Sequence, residues 1–385
     1  MTTKSIDKQY VLNTYNRFDL ELTQGKGSVI KDENSKEYID LTSGIGVTAF
    51  GIADDKWIEA VTSQLNTLQH VSNLYYTSPC ALLAKAICEK TKMSKVFFSN
   101  SGAEANECAI KVARKYAQDK GYDRYNILTL NNSFHGRTLA TLSATGQDHY
   151  HELFNPLPSG FVYADANDTD AVINAIKEHN VCAVLLECVQ GEGGVIKLES
   201  DFVKAVHAYC NDNDILFMVD EVQTGNGRTG ELYAYMNYGV QPDVFTTAKG
   251  LGGGLPIGAC VVGEKAQNSL GFGDHGSTYG GNPVACAGAL SVFERLTDEL
   301  LFDVKAKSEY IFSELSACEG VESVSGMGLM IGIKTNKPVG DIIKECMNNG
   351  VLCLSAKDKL RLLPALNIDF DLLKKAVDVI KSACV

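Results

Sequence analysis

The chain has 385 residues, 45% of them hydrophobic and 21% charged, with 35 basic and 47 acidic side chains and a formal charge of −12. That is globular composition, long enough for two or three packed units, and its acidity excludes the concentrated basic stripe with which a nucleic-acid-binding surface displaces counterions from phosphates. No apolar run approaches the roughly 18 to 20 residues that span a bilayer, and the start, Met1-Thr-Thr-Lys-Ser-Ile-Asp7, lacks the basic-then-apolar order of a secretory signal, so a cytoplasmic protein acting on small molecules is expected.

In chain order, the first strand-like segments are Ser28-Val-Ile30 and Tyr38-Ile-Asp-Leu41. Residues 1–56 are expected to join a smaller C-terminal unit. Lys95-Val-Phe-Phe98 reads as a short strand, followed by Ser99-Asn-Ser-Gly102 and a helix whose small and apolar positions 105, 109, 112, 113, 116 and 117 recur at helical spacing. Asn126 to Leu130, Val181 to Leu186, Ile215 to Val219 and Val244 to Thr247 are further short β-rich runs, separated by helical patterns such as Ala171 to His179 and Phe202 to Asn211. They predict an α/β protein in which residues 57–283 form a large domain around a buried, mostly parallel sheet. Residues 284–385 change pattern, with helices over Val284 to Leu296 and Phe302 to Leu315 and strand-like segments at Leu329 to Ile333 and Arg361 to Leu363, and are assigned to a smaller α+β domain. The twelve cysteines are scattered through apolar stretches without a Cys-x-x-Cys pair and read as buried thiols, and the seven histidines form no zinc pattern beyond His149-Tyr-His151, so no metal is expected.

In an open α/β sheet, ligands bind beyond the carboxyl ends of the strands, which singles out the polar residue closing each run. After the first run, Ser99-Asn-Ser-Gly-Ala-Glu-Ala-Asn106 offers small residues and a helix start whose free N–H groups suit a phosphate, with Gly102 and Ala103 as contacts; a plain strand-to-helix turn is the alternative. Two later runs end on Asp220-Glu-Val-Gln223 and Ala248-Lys249-Gly250. A lysine at such depth is costly as a cation, so it loses its proton or serves as a covalent handle. A cofactor ring between the two would unite them, with Asp220 holding the proton of a ring nitrogen and Gln223 donating to a ring hydroxyl. Direct pairing of Asp220 with Lys249 is the structural alternative.

Gly225-Asn-Gly-Arg-Thr-Gly230 matches the dinucleotide fingerprint in letters only, because five residues separate it from the preceding strand and no glycine-packed helix follows. Gly250-Leu-Gly-Gly-Gly-Leu-Pro256 reads as room for the chain to turn after Lys249.

Taken together, Ser99 to Asn106, Phe134-His-Gly-Arg-Thr138, Glu187-Cys-Val-Gln-Gly-Glu-Gly-Gly194, Asp220 to Gly230, Ala248 to Gly258 and His275-Gly-Ser-Thr-Tyr-Gly-Gly-Asn-Pro283 resemble, in order and spacing, the fold-type I, class III aminotransferases. The resemblance covers the chain from about residue 10 to its end, and within the class the short length and the Gly276 to Pro283 segment look most like the acetylornithine group. It implies pyridoxal 5'-phosphate bound to Lys249, with Asp220 at the pyridinium nitrogen, and a homodimer with the cofactor near the interface. Gly102, Ala103, Phe134, His135, Glu187 and Gln223 would also contact the cofactor, and Ser277 and Thr278 would reach its phosphate from the other subunit, Thr278 most directly, with Ser277 also at the substrate. For amino and oxo acid substrates the resemblance implies Arg137 and Arg361 as carboxylate clamps, with Glu192 covering Arg361 in one half-reaction. Two departures stand out: Gly51-Ile-Ala-Asp-Asp-Lys-Trp57 where relatives commonly have Gly-His-x-His-Pro, and Pro364-Ala365 in place of Pro-Pro. Ser43-Gly-Ile-Gly-Val47 carries no aromatic side chain where ornithine aminotransferases have a substrate-contacting tyrosine, which favours an acylated substrate.

Overall fold

The computed structural model describes residues 1–385. At its centre is a seven-stranded sheet whose strands run, edge to edge, Lys95–Ser99, Gly258–Val262, Val244–Thr247, Leu216–Asp220, Val181–Leu186, Asn126–Leu130 and Phe161–Ala164. Gly258–Val262 is antiparallel to both neighbours and every other pairing is parallel. Two antiparallel steps cancel, so Lys95–Ser99 points the same way as the rest. The carboxyl ends of six strands therefore open on one edge.

The three central strands, Val181–Leu186, Leu216–Asp220 and Val244–Thr247, are buried along their whole length, as expected when helices cover both faces of a parallel sheet. Alternate residues feed two separate apolar clusters. Ala183, Leu185, Leu216 and Met218 pack with Ala109 and Ala113 of the helix Gly102–Asp119. Val184, Leu186, Phe217 and Val219 join Phe202 and Val206 of the helix Ser200–Asp212 on the other face.

The rest of the chain gathers beside this core. Val321–Met327, Met330–Thr335, Lys359–Leu362 and Leu354–Ala356 form an antiparallel sheet that carries Arg361. Near the start, Leu22–Lys26, Val29–Asp32 and Glu37–Asp40 pair antiparallel, and Val351–Leu352 adds to them in parallel, so the two ends of the chain share a sheet.

Most predicted elements recur with ends shifted by one to four residues; the strand read as 215–219 spans Leu216–Asp220, which makes Asp220 its last residue. The strands Phe161–Ala164 and Gly258–Val262 were not predicted. Gly258-Ala-Cys-Val-Val262 opens with small residues and runs straight out of a glycine loop, which hides its period. Phe217 is fully buried, opposite Val184 and edge-on to the His207 ring, with 5.1 Å between centroids. Phe217→Ala is expected to cost about 3–5 kcal/mol, read as a lower urea midpoint; an unchanged midpoint would show a loosely packed layer.

Candidate active site

The first strand end feeds the helix Gly102–Asp119 through a cap built from its own sequence. Ser101 Oγ accepts the Glu104 N–H at 3.2 Å, and the Glu104 carboxylate reaches back to the N–H of Asn100. The Ala105 N–H goes to the Ser101 carbonyl, which leaves the Gly102 and Ala103 amides at the positive end of the helix dipole. Gly102 is needed for closeness: a Cβ there would lie 2.6 Å from Val222 Cγ1, two residues past Asp220.

Asp220 is 4% exposed, and a buried carboxylate needs donors. Its Oδ2 accepts from Asn106 Nδ2 at 2.7 Å and lies 2.8 Å from His135 Nδ1, while Oδ1 accepts the Val222 N–H at 3.0 Å. An ionised carboxylate only accepts, so the His135 proton sits on Nδ1; Nε2 is buried without a partner. Asn106 is fixed in turn, its second amide hydrogen going to the His135 carbonyl at 2.8 Å and its oxygen accepting from Thr246 Oγ1 at 2.7 Å. Three of roughly four acceptor positions on Asp220 are filled. The remaining one is available to the cavity.

Lys249 lies on the next strand end and is not among the donors to Asp220. Direct pairing of the two, the alternative reading of the sequence, does not occur. Burial, then the nearby Arg361, lowers the Lys249 amine from the ordinary lysine range against the pull of Glu192. Asp220, Lys249, Gly102, Ala103, Phe134, His135, Arg137, Glu187 and Gln223 all line one cavity of about 420 Å³. That volume suits a small cofactor with a substrate.

Arg361 is 3% exposed and does not itself line this cavity; it touches the lining residue Gln223 from behind. It forms an ion pair with Glu192, and its Nη1 also donates to the Gly191 carbonyl and to Gln223 Oε1, each at 3.2 Å. Burial pushes the Glu192 carboxyl up, but Arg361 beside it outweighs this and holds it below the usual range. Gln223 bridges the pair, its Nε2 donating to Glu192 Oε1 at 3.3 Å. Glu187 accepts the Phe134 N–H at 2.9 Å and the Gly191 N–H at 3.2 Å, tying the aromatic wall to the turn that carries Glu192. At the mouth, exposed Arg137 packs over the Tyr150 ring at 4.5 Å and the Phe134 ring at 5.6 Å.

Ser277 and Thr278 stand apart. Ser277 Oγ accepts from Asn100 Nδ2 at 3.2 Å, and both residues line a separate surface depression with His70 and Asn73. Within one chain neither faces Lys249. The Gly225 to Gly230 segment forms turns, as its context demanded, and Asn226 Nδ2 uses it to reach Thr247 Oγ1 at 2.9 Å and the Ala248 carbonyl at 3.2 Å. Asn106 is the residue whose role sequence reasoning missed. Its signal was an amide, a poor helix former, set four residues after Gly102 against the apolar face.

A free amine with a lowered proton affinity, a carboxylate with spare acceptor capacity, an unpartnered imidazole nitrogen and an open helix start fit a flat, anionic, aldehyde-bearing ring. The description of aminotransferase class III matches residues 10–384. The chain belongs to the class III aminotransferases. The acetylornithine aminotransferase of Haemophilus ducreyi is 48% identical over 380 residues, covering 98% of this chain and 97% of that one. The solved N-acetylornithine aminotransferase of Stenotrophomonas maltophilia superposes with a TM-score of 0.85 at 33% identity, over 98% of this chain and 97% of its own. The ornithine aminotransferase of Toxoplasma gondii, solved with partial occupancy of pyridoxal phosphate at its active site, gives 0.94 at 30% identity, over 99% and 93%. The fold is that of the fold-type I enzymes, and the cofactor is pyridoxal 5'-phosphate.

Immediately behind Asp220, Glu221 is fully buried, accepting the Tyr235 N–H at 2.8 Å and the Thr224 hydroxyl at 2.6 Å. Burial raises its carboxyl from 4.5 to about 7. A raised carboxyl binds its proton more tightly in the folded chain than in the unfolded one, so its contribution is most favourable below about pH 4.5 and is lost as pH rises through about 7. Glu221→Gln keeps both partners without titrating. It is expected to flatten the fall in apoprotein stability between about pH 4.5 and 7, measured by denaturant unfolding; an unaltered slope would assign the titration elsewhere.

Proposed function

We propose that the protein transfers the δ-amino group of N2-acetyl-L-ornithine to 2-oxoglutarate, giving N-acetyl-L-glutamate 5-semialdehyde and L-glutamate, a step of arginine biosynthesis. The observation that carries this reading is the buried Arg361 under the carboxylate of Glu192, beside Gln223 and facing Lys249. The names of the relatives support the acylated amine, as does the absence of an aromatic side chain in Ser43 to Val47.

Bound pyridoxal phosphate supplies an aldehyde that bonds amines reversibly and a protonated ring that takes up the electron pair left when a substrate carbon loses its proton. Lys249 would hold it covalently, and a lysine of lowered proton affinity can then accept and return a proton at the carbon bearing the substrate nitrogen. Asp220 would keep the ring-nitrogen proton in place, Phe134 would lie against the ring with His135 beside it, and Gln223 would donate to the ring hydroxyl. The open amides of Gly102 and Ala103 would take the phosphate. Arg361 grips the α-carboxylate of 2-oxoglutarate or glutamate. During the amine half-reaction Glu192 covers it, so an ω-amino substrate cannot bind by its wrong end. Arg137, at the mouth, takes the α-carboxylate of acetylornithine or the side-chain carboxylate of glutamate.

We also propose a homodimer. Leu74, Tyr75, Tyr76, Phe272 and Tyr279 are exposed around the depression that holds Ser277 and Thr278, an apolar surface a soluble monomer rarely shows. Covering it with a second copy would bring Thr278 toward the partner's cofactor phosphate. No helix is long and apolar enough to cross a membrane, and the cytoplasm is the compartment proposed.

Acetylornithine added alone to the holoenzyme is expected to abolish its long-wavelength cofactor absorbance, and 2-oxoglutarate to restore it. An unchanged spectrum would overturn the substrate. Faster bleaching by ornithine, 4-aminobutyrate, succinylornithine or succinyldiaminopimelate would reassign it, and net turnover without any oxo acid would indicate an aminomutase. Arg361→Ala should raise the KM for 2-oxoglutarate about a hundredfold, the scale of losing a buried charge pair. Sedimentation should give about twice 41.6 kDa, whereas the monomer mass would remove the dimer.

A further inference from the structure

Trp57 is the only tryptophan in the chain and closes the segment Gly51-Ile-Ala-Asp-Asp-Lys-Trp57. Its helix, Asp55–Leu65, starts on Asp54, which accepts the Trp57 N–H at 2.9 Å and is gripped through both oxygens by Arg295 at 2.8 and 3.0 Å. From this anchored base the indole Nε1 donates to the Gly252 carbonyl at 2.9 Å. The Gly252 N–H in turn donates to the Lys249 carbonyl at 3.0 Å. Two hydrogen bonds of one glycine thus connect the indole to the backbone of Lys249.

That backbone is strained. Lys249 has φ +43°, in the left-handed region that residues with side chains resist unless their surroundings impose it. Upstream, Asn226 holds the Ala248 carbonyl; downstream, the Trp57 bond holds Gly252. Gly253 makes this contact feasible, because a Cβ there would lie 2.9 Å from Trp57 Nε1. Gly288, on the helix Pro283–Phe293, clears the opposite side, where a Cβ would again come within 2.9 Å of Nε1. Gly254, Leu255 and Pro256 then line the same cavity as Lys249.

We propose that Trp57 is a positioning residue for the proposed transamination: its indole N–H, acting through Gly252, fixes the left-handed turn that aims the Lys249 amine into the cavity. The inference rests on the function proposed above. The charged groups facing Lys249 are Glu192, Arg361, Asp220 and Glu187, and Trp57 adds no charge to them. Whatever it does to the amine, it does by placement.

Trp57→Phe keeps an aromatic ring and deletes only the donor. In the holoenzyme it is expected to lower kcat about tenfold, the order of loss from a small misplacement of a reacting group, with KM for the amine unchanged. The pH midpoint of the bound-cofactor absorbance should move by about half a unit or more as the amine leaves its fixed surroundings. Normal kcat and an unmoved midpoint, with only a lower melting temperature, would reduce Trp57 to a packing residue and overturn the proposal. Wild-type protein gives a second reading: pyridoxal phosphate added to the apoprotein should strongly quench the single indole emission, and no quenching would overturn the placement. The spectral readings need only cofactor binding. Failure of the aminotransferase reading would show separately, as wild-type protein that binds cofactor but turns over no amine.

Discussion

The ionised carboxylate of Asp220 is the constraint on which the rest of the site depends. Buried charge must be met by donors, and the donors here come from three separate segments: the helix after the edge strand through Asn106, the loop after Leu130 through His135, and the turn at Val222. Meeting that one requirement fixes the helix start that offers Gly102 and Ala103, and it fixes His135 next to Phe134. It also leaves the amine of Lys249 without an acidic partner at the strand end. Had the two paired directly, the carboxylate would hold no acceptor position for a ring nitrogen and the amine would be held as a cation.

In the proposed reaction, substrate exchange would leave the balance of charge around Lys249 nearly unchanged. Arg361 lowers the proton affinity of Lys249 and Glu192 raises it, and the two are bound to each other. In the proposed second half-reaction a substrate carboxylate replaces Glu192 on Arg361, one negative charge for another. The amine therefore meets a similar field with either partner bound, and Glu187 keeps both walls in register by holding the amides of Phe134 and Gly191 together. Glu187 is itself raised from 4.5 to about 7 by burial, with nearby His135 opposing the rise. Its two backbone hydrogen bonds also oppose the rise, because the ionised form accepts them best, without cancelling the effect of burial.

The sheet was legible in the sequence because its interior strands are short, apolar and bounded by polar residues, and the residues closing them, Asp220 and Lys249, face one cavity. What escaped was long-range. Gly258–Val262 pairs antiparallel between two strands distant in sequence, and nothing local marks that choice. Asn106 is visible as an amide on an apolar face, but its three partners, Asp220, the His135 carbonyl and Thr246, lie 29 to 140 residues away. The sequence likewise separates Arg361 from Glu192 by 169 residues; only the resemblance to the family linked them, since no spacing rule spans such a gap.

The glycine-rich stretches show why a motif must be judged by what surrounds it. Gly225 to Gly230 has the letters of a phosphate-binding fingerprint, yet the chain there turns back to let Asn226 hold the strand end before Lys249. Gly252 to Gly254 could pass for a flexible hinge, but an indole packs where side chains on Gly253 and Gly254 would stand, and its hydrogen bond to the Gly252 carbonyl fixes the turn. Both stretches act on the same few atoms, one from each side of a strained residue. In the role proposed for Lys249, a lysine that forms and breaks a covalent bond at every turnover would have to return to one position each time, and a left-handed turn held from both ends offers its amine fewer alternatives than a relaxed one.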